Sequence, residues 1–176
     1  MIVLLVLVAL GSASPARADS DKDWRVVSDV AVYSVLASAF IVPTIHRDWQ
    51  GAGRAGLSVG VAVGVTQGLK GLIDSERPDK SDRNSFPSGH ATTAFASATT
   101  LYLRYGWQVG IPAYAMATLT GVSRKVSRRH RWVDVVAGAA IGSASGWLFT
   151  TKFNDKVQLW PWAQQDGGGV VVAMRW

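Results

Sequence analysis

Five apolar segments joined by short polar connections set the limits on what this chain can fold into. They cover residues 26–45, 55–73, 91–103, 109–122 and 132–149. Their sequences lack the sustained alternation of apolar and polar residues that marks a half-buried strand. Apolar segments with short connections favour antiparallel neighbouring helices. The sequence therefore predicts an all-α fold, a helical bundle of about five core helices.

Two of the segments carry glycine at every fourth position, which places the glycines along one face of a helix. A face without side chains lets the backbone of another helix approach closely. We expect both stripes to mark tight helix packing, within one chain or between two. The first stripe consists of Gly56, Gly60, Gly64 and Gly68, and the second of Gly138, Gly142 and Gly146.

The first apolar segment is long enough to cross a membrane. Residues 26–45 supply the roughly 20 positions needed to span a hydrocarbon core of about 30 Å. Trp49, in the polar turn predicted over residues 46–54, suits a membrane interface. The mean hydropathy of +0.16 is low for a chain with five spanning helices. The sequence predicts a membrane-associated bundle and leaves a soluble one open.

The N-terminal stretch has the features of a secretory signal peptide. Residues 2–10 are apolar throughout, and Ala16 and Ala18 form a small-x-small cleavage site before Asp19. The basic residue expected before the apolar run is absent, so retention of the segment as an anchor is the alternative. We predict a signal peptide over residues 1–18, a helical domain over 19–152 and a C-terminal tail over 153–176, to which no function is assigned.

Polar residues gather where the apolar segments start or stop. Antiparallel neighbours bring these ends to the same side of a bundle, so their placement predicts a single site at one end. The first cluster comprises Lys70 with Arg77-Pro78, the second Pro87-Ser88-Gly89-His90, and the third Ser123-Arg124 with His130 and Asp134.

The third cluster indicates chemistry most directly. His130 and Asp134 are four residues apart, which places them on one helix face. A carboxylate there can hold one ring nitrogen and raise the basicity of an imidazole used as a nucleophile or base. The same pair also occurs without chemistry, as an acid that favours a helix N-terminus. Cations that suit a phosphate-bearing substrate surround the pair. They are Arg124, Lys125, Arg128, Arg129 and Arg131.

Charge and composition exclude several other functions. The net charge of +6 comes largely from residues 70–131, which indicates a site or surface instead of a uniformly basic protein. The sequence has no zinc spacing, recognition-helix pattern or long basic run, so we expect no nucleic-acid partner. It has no cysteine, and His130 with Asp134 lacks a third ligand at a useful spacing, so we expect no metal.

The three clusters together resemble the signature of the type 2 phosphatidic acid phosphatase superfamily, which includes bacterial acid phosphatases and vanadium haloperoxidases. That signature is lysine, six residues, Arg-Pro; then Pro-Ser-Gly-His; then Ser-Arg, five residues, His, three residues, Asp. The sequence meets every spacing, within residues 68–142. The resemblance implies a helical phosphatase with its active site at one end of the bundle.

The resemblance also implies a role for each motif residue. His130 is expected to be the nucleophile that forms a phosphohistidine, Asp134 to orient it, and His90 to be the general acid that protonates the leaving oxygen. No cofactor is implied. The expected phosphate ligands are Lys70, Arg77, Arg124, the Ser88 hydroxyl and the Gly89 amide.

We therefore expect a phosphatase acting on a phosphomonoester or diphosphate of a lipid, such as phosphatidic acid, phosphatidylglycerophosphate, undecaprenyl diphosphate or lipid A. It is expected at the bacterial inner membrane with a periplasm-facing site, or in the periplasm. The alternatives are a soluble periplasmic non-specific acid phosphatase, a vanadium haloperoxidase and a non-catalytic lipid-binding bundle. His46 is expected at the opposite end of the bundle.

Basic residues outside the motifs form a predicted rim that either attracts anionic headgroups or only favours solubility. They are Lys80, Arg83, Lys125, Arg128, Arg129 and Arg131.

Overall fold

The chain forms five helices followed by a β-hairpin in the computed structural model, which describes residues 20–150, 157–164 and 167–174. The predicted helical bundle is confirmed, whereas the predicted signal peptide lies outside the described residues. In the hairpin the two strands pair antiparallel, with Gln164 opposite Gly167. The elements are α1 (Ser20–Ile45), α2 (Trp49–Leu72), α3 (Gly89–Tyr105), α4 (Trp107–Val126), α5 (Trp132–Thr150), β1 (Val157–Gln164) and β2 (Gly167–Met174).

Four of the five helices begin earlier than the apolar pattern predicts. The polar turn predicted over residues 46–54 is wrong in extent, because α2 already begins at Trp49. Asp48 is the N-cap of α2, and its carboxylate accepts a hydrogen bond from the Gly51 amide at 2.9 Å. A capped N-terminus satisfies an otherwise free amide, so a helix can start within polar sequence.

The central helix of the bundle is α3, which contacts α1, α2, α4 and α5. Its buried side chains are all Ala, Ser or Thr, with Leu101 as the exception. Small buried side chains allow neighbouring helices to approach closely. The core of the bundle therefore depends on close backbone packing more than on large apolar side chains.

The glycine stripe of α5 makes the tightest of these contacts. A Cβ at Gly138 would lie 2.5 Å from the Ser88 carbonyl oxygen, and one at Gly142 would overlap the Thr92 carbonyl oxygen. A Cβ at Gly146 would lie 2.6 Å from the Thr99 side chain. The tight packing predicted for this stripe is confirmed, and it packs α5 from Gly138 to Gly146 against the first half of α3.

The glycine stripe of α2 faces away from the bundle, and the tight packing expected of it is wrong within this chain. A Cβ added at Gly60, Gly64 or Gly68 would meet no atom of the described residues within 4 Å, and one at Gly56 would lie 3.9 Å from the Phe40 ring. The opposite face of α2 is also made of small residues, and it is this second face that packs against the other helices. Its buried members are Gly51, Ala55, Ser58, Ala62 and Thr66.

Three hydrogen-bonded side chains, which we call the polar lock, lie at the end of the bundle where α1 meets α2 and α3 ends. They are Asp48, Arg104 and Tyr105. The Arg104 guanidinium donates two hydrogen bonds of 2.7 Å to the Asp48 carboxylate, and the Tyr105 hydroxyl donates a third at 2.9 Å. The hydrogen bonds from Arg104 hold the pKa of Asp48 well below its usual range. His46 stacks on Tyr105 with ring centroids 5.6 Å apart, so its predicted position at this end is confirmed.

We expect Asp48→Ala to lower the free energy of unfolding by about 3 kcal/mol, because it removes a helix cap and three hydrogen bonds. Denaturant unfolding in detergent micelles, followed by circular dichroism, measures this change. The matched control is Asp74→Ala, which breaks only the exposed ion pair with Arg83 and should leave the midpoint unchanged. Equal shifts in the two variants would contradict the assignment of the lock.

Candidate active site

The three polar clusters meet at the other end of the bundle. The Ser88 amide, at the N-cap of α3, donates a hydrogen bond of 2.9 Å to the Asp134 carbonyl oxygen in the first turn of α5. Lys70, in the last turn of α2, donates through Nζ to the Asn84 carbonyl oxygen at 2.5 Å. Near the end of α4, the carbonyl oxygen of Arg124 accepts a hydrogen bond of 3.2 Å from the His130 amide. Arg124 Nη1 lies 3.7 Å from Asp29, the carboxylate that pairs with His90. The predicted site residues are thus brought together, while their roles stay predictions.

His130 lies in the connection between α4 and α5, with its side chain 2% exposed. Its Nδ1 lies 2.8 Å from the Ser85 carbonyl oxygen. A carbonyl oxygen only accepts hydrogen bonds, so Nδ1 must carry the proton. In the neutral ring, Nε2 then keeps its lone pair, which is the arrangement that a nucleophilic imidazole needs.

The electrostatic surroundings keep the His130 ring neutral. Burial and the nearby charges of Arg124 and Arg77 lower the pKa of His130 below its ordinary value of 6.5. The carboxylate of Asp134 acts in the opposite direction but does not outweigh them. The ring is therefore unprotonated at neutral pH, although it lies among cations.

Asp134 supports His130 in a different way from the one expected. Its Oδ2 is 3.7 Å from His130 Nδ1, too far for the expected direct hydrogen bond. Instead Oδ2 accepts from the Ser85 hydroxyl at 2.5 Å and from the Arg131 amide at 2.8 Å. Asp134 thus fixes Ser85, and the Ser85 carbonyl oxygen fixes His130.

Ser85 is a site residue that the sequence reasoning missed. It is fully buried and joins Asp134 to His130 through its hydroxyl and its carbonyl. Its contact with His130 uses the backbone, so its side-chain type carries no signal for it. The available signal was its position, directly before the Phe86-Pro87 step of the second motif.

His90, the second residue of α3, pairs with a carboxylate from α1. Its Nε2 is 2.9 Å from Asp29 Oδ1, and the same oxygen is 3.7 Å from Arg124 Nη1. Asp29 lies within the first apolar segment, and the sequence reasoning missed it. An acid within such a segment is itself a signal for a functional site.

Two of the predicted phosphate ligands have buried nitrogen atoms that lack a partner. Arg77 donates from Nε to Asp82 at 2.7 Å, but its Nη1 has no hydrogen-bond partner among the described residues, and the same is true of Arg124 Nε. Leaving a buried charged donor unpaired costs more than about 1–3 kcal/mol. These atoms are therefore suited to an anionic ligand.

A cavity of about 430 Å³ opens on the Lys70 and Arg77 side of the site. Neither His90 nor His130 lines it. The cavity is large enough for a substrate group beyond the phosphate itself. Its lining residues are Gln67, Lys70, Gly71, Arg77, Asp82 and Asn84.

Ser88 and Gly89 form the start of α3. The Ser88 hydroxyl is 3.5 Å from the Ala91 amide that it caps, and its side chain is fully buried. Gly89 is the first residue of the helix, where backbone N–H groups have no intrahelical acceptor. Such amides attract an anion. Gly89 is placed as its predicted role of amide ligand requires, and the Ser88 hydroxyl, the other predicted ligand at this helix start, also caps the helix.

The predicted basic rim is partly neutralised by ion pairs. Arg128 bonds to Asp21 at 2.5 Å, and Arg129 bonds to Asp79 at 3.1 Å and to the Ser81 hydroxyl at 3.0 Å. Arg83 bonds to Asp74. These three side chains therefore help to hold α1 and the loop between α2 and α3 in place. The predicted attraction of anionic headgroups would be a second role.

Known proteins resemble this chain in sequence. It is 35% identical over 121 residues to the lipid A 4'-phosphatase of Helicobacter pylori, an alignment that covers 62% of this chain and 61% of that protein. It is 44% identical over 87 residues to the lipid A 1-phosphatase of Porphyromonas gingivalis, covering 45% of this chain and 19% of that protein. The alignments thus span less than two thirds of the length of either relative.

The fold has a counterpart among solved structures. The crystal structure of Aquifex aeolicus LpxE superimposes with a TM-score of 0.63 at 23% identity, covering 78% of this chain and 87% of that chain. Residues 51–158 match the PAP2 superfamily. This match covers more than half of the chain and includes all three polar clusters. The protein belongs to the PAP2 superfamily.

Proposed function

We propose that this protein is a phosphatase that hydrolyses a phosphate ester of a lipid through a phosphohistidine. In the first step the Nε2 lone pair of His130 attacks phosphorus, the bond from phosphorus to the leaving oxygen breaks, and His90 gives that oxygen a proton. In the second step His90 takes a proton from water as the water oxygen attacks phosphorus. The bond from phosphorus to Nε2 then breaks and releases phosphate.

The observation that carries this proposal is the state of His130. Its ring is buried, its Nδ1 is held by the Ser85 carbonyl oxygen, and its Nε2 has no hydrogen bond to the described residues. Burial and the cations Arg124, Arg77 and Lys70 lower the pKa of the ring and favour its neutral form. Fixed positive charge around a phosphoryl group stabilises the charge that develops during transfer. Positioning and charge are most of what phosphoryl transfer needs from a protein.

A lipid substrate is supported by the relatives and by the helix surfaces. Both relatives carry the name of a lipid A phosphatase, so lipid A phosphates are the first substrates to test. By length and composition, α1 and α5 can cross a membrane. They also expose large apolar side chains, among them Val30 and Ile41 of α1 and Val136 and Leu148 of α5. Exposed apolar surface of this kind suits lipid.

Exposed tryptophans support the same placement. Trp132 begins α5 at the site end, whereas Trp49 and Trp107 begin α2 and α4 at the other end, and all three are more than half exposed. The 20 residues of α4 span about 30 Å, the thickness of a hydrocarbon core. Aromatic residues at both ends are typical of a spanning bundle. The active site then lies at one interface, and it faces the periplasm if residues 1–18 are an export signal.

We expect the purified protein in detergent micelles to release phosphate from one or more lipids of a panel of lipid A, phosphatidic acid, phosphatidylglycerophosphate and undecaprenyl diphosphate. Orthovanadate should inhibit as a phosphate mimic. EDTA should have no effect, because the proposed charge comes from Lys70, Arg77 and Arg124. Release of inorganic phosphate measures the reaction. Activity on water-soluble esters alone would favour an acid phosphatase, and loss in EDTA reversed by added metal would contradict the mechanism.

A further inference from the structure

Helix α1 reaches the active site although it lies before the segment that matches the family. The match begins at residue 51, whereas α1 spans Ser20–Ile45. Three of its side chains bond to residues around the site. Asp21 bonds to Arg128, Arg25 to Asp79, and Asp29 to His90.

Asp29 differs from the other two because its partner is itself proposed to transfer a proton. Asp29 Oδ1 is 2.9 Å from His90 Nε2, and the two side chains are 49% and 31% exposed. An ion pair this open to solvent contributes little to folding stability. Apolar side chains Val26, Val27 and Val30 surround Asp29 in the sequence of α1 and are exposed. A charged side chain is costly in such an apolar stretch, so the presence of Asp29 points to a function and not to stability.

The contact also decides which nitrogen of His90 faces the substrate. A carboxylate accepts hydrogen bonds, so His90 Nε2 carries a proton and directs it to Asp29. Nδ1 is then the nitrogen left for the leaving oxygen. Burial and two cations, Arg124 and Arg77, oppose a protonated His90 ring, and Asp29 is the acid among the described residues that pairs with it. Asp29 therefore fixes the ring orientation and counteracts the cations that oppose a protonated ring.

We propose that Asp29 is the positioning residue for the general acid His90. The inference rests on the proposed function. In the first chemical step the N–H bond at His90 Nδ1 breaks, the proton passes to the leaving oxygen, and the bonding electrons stay on the ring. That oxygen also receives the electron pair of the breaking bond to phosphorus, while His130 Nε2 supplies the pair for the new bond. The proton on His90 Nε2 stays bonded to the ring and hydrogen-bonded to Asp29 throughout.

The test compares two leaving groups, because a general acid matters only where the leaving oxygen needs a proton. The alcohol released from a lipid phosphate monoester needs one, whereas the nitrophenolate released from p-nitrophenyl phosphate does not. The lipid substrate is the phosphate monoester of the panel that the wild-type protein hydrolyses fastest. We expect Asp29→Ala to lower kcat/KM for this lipid by about 100-fold and for p-nitrophenyl phosphate by less than about 3-fold. Asp29→Asn, which keeps an acceptor for Nε2–H, should lie between wild type and Asp29→Ala.

Two controls separate this role from others. Asp21→Asn removes a carboxylate from the same helix that bonds to Arg128, outside the site, and should leave both activities unchanged. Orthovanadate inhibition should stay within about 3-fold in Asp29→Ala, because vanadate needs no general acid. If Asp29 acted through Arg124 instead, orthovanadate would inhibit Asp29→Ala more weakly than wild type, and kcat/KM would fall equally for both substrates.

The outcomes distinguish the two proposals. Wild-type protein that is active, with both substrates slowed equally or neither slowed in Asp29→Ala, overturns the role of Asp29 and leaves the phosphatase intact. Wild-type protein that releases phosphate from no lipid of the panel and not from p-nitrophenyl phosphate overturns the phosphatase and the role of Asp29 together.

Discussion

Replacing His130 by alanine should abolish phosphate release, with a fall in kcat/KM of about 10⁴-fold or more. The variant lacks the Nε2 lone pair, and among the described residues His90 and His46 are the other imidazoles. His90 Nε2 is engaged by Asp29, and His46 lies at the opposite end of the bundle. Water would then have to attack phosphorus directly, with only the cations to assist it.

Two measurements check this result. Phosphate release gives the rate, and alkaline quenching of wild-type protein with radiolabelled substrate should trap label that acid removes, as expected of a phosphohistidine. His130→Ala should trap none. The matched control is His46→Ala, which removes the same kind of side chain at the far end and should retain activity. Full activity in a folded His130→Ala protein would refute the nucleophile assignment.

The state of His130 also predicts the acid side of the pH profile. Its pKa lies below 6.5, so its ring stays neutral as the pH falls through that value and becomes protonated only in more acid solution. Loss of the nucleophile by protonation should therefore appear in kcat/KM of the free enzyme below pH 6.5.

Asp134→Asn should lower the rate by about 10²–10³-fold while the protein still folds. The amide oxygen of asparagine can take the place of Oδ2 and accept from the Ser85 hydroxyl and the Arg131 amide, so the loop stays in place. What the variant removes is the negative charge 3.7 Å from His130 Nδ1. The ring becomes positively charged as its Nε2 bonds to phosphorus, so that loss acts on the transition state.

The Ser85→Ala variant serves as a comparison because it separates charge from position. It removes the hydroxyl that bonds to Asp134 and keeps the carbonyl oxygen that holds His130. We expect it to slow the reaction by about 10-fold, less than Asp134→Asn. Single-turnover rates and thermal unfolding of both variants provide the measurement. A larger loss in Ser85→Ala than in Asp134→Asn would show that the charge is the minor contribution.

The sequence was sufficient to predict the bundle and the gathering of the motifs. Each motif lies at the end of an apolar segment, and alternation of helix direction then brings Lys70, Ser88, Arg124 and Asp134 to one side. These inferences depend on local spacing and on chain direction. Both are properties that can be counted along a sequence.

The partners of the two histidines could not be predicted in the same way. Asp29 is 61 residues from His90, and nothing in the intervening sequence specifies how α1 is rotated against α3. Ser85 holds His130 through a carbonyl group, which every residue possesses. Contacts set by helix rotation or by the backbone leave little trace in residue type.

The two glycine stripes make the same point about helix faces. Both have glycine at every fourth position, yet Gly142 packs against the backbone of α3 while Gly64 faces outward. On α2 the opposite face carries Ala62 and Thr66, which are small enough to pack in place of the glycines. The sequence alone cannot tell which of two helix faces lined by small residues will be buried. The fit to neighbouring helices decides which face packs.

The seven glycines of α2 also bear on how the protein folds. Each glycine in a helix interior is about 1 kcal/mol less favourable than alanine, so α2 is intrinsically a poor helix. Its outward stripe has almost no contact with neighbouring helices to offset this, so its place in the bundle depends on the packed face. We therefore expect α2 to dock late, onto helices already assembled. Lys70 reaches its place only when that docking is complete, so a partly folded intermediate has no finished anion site.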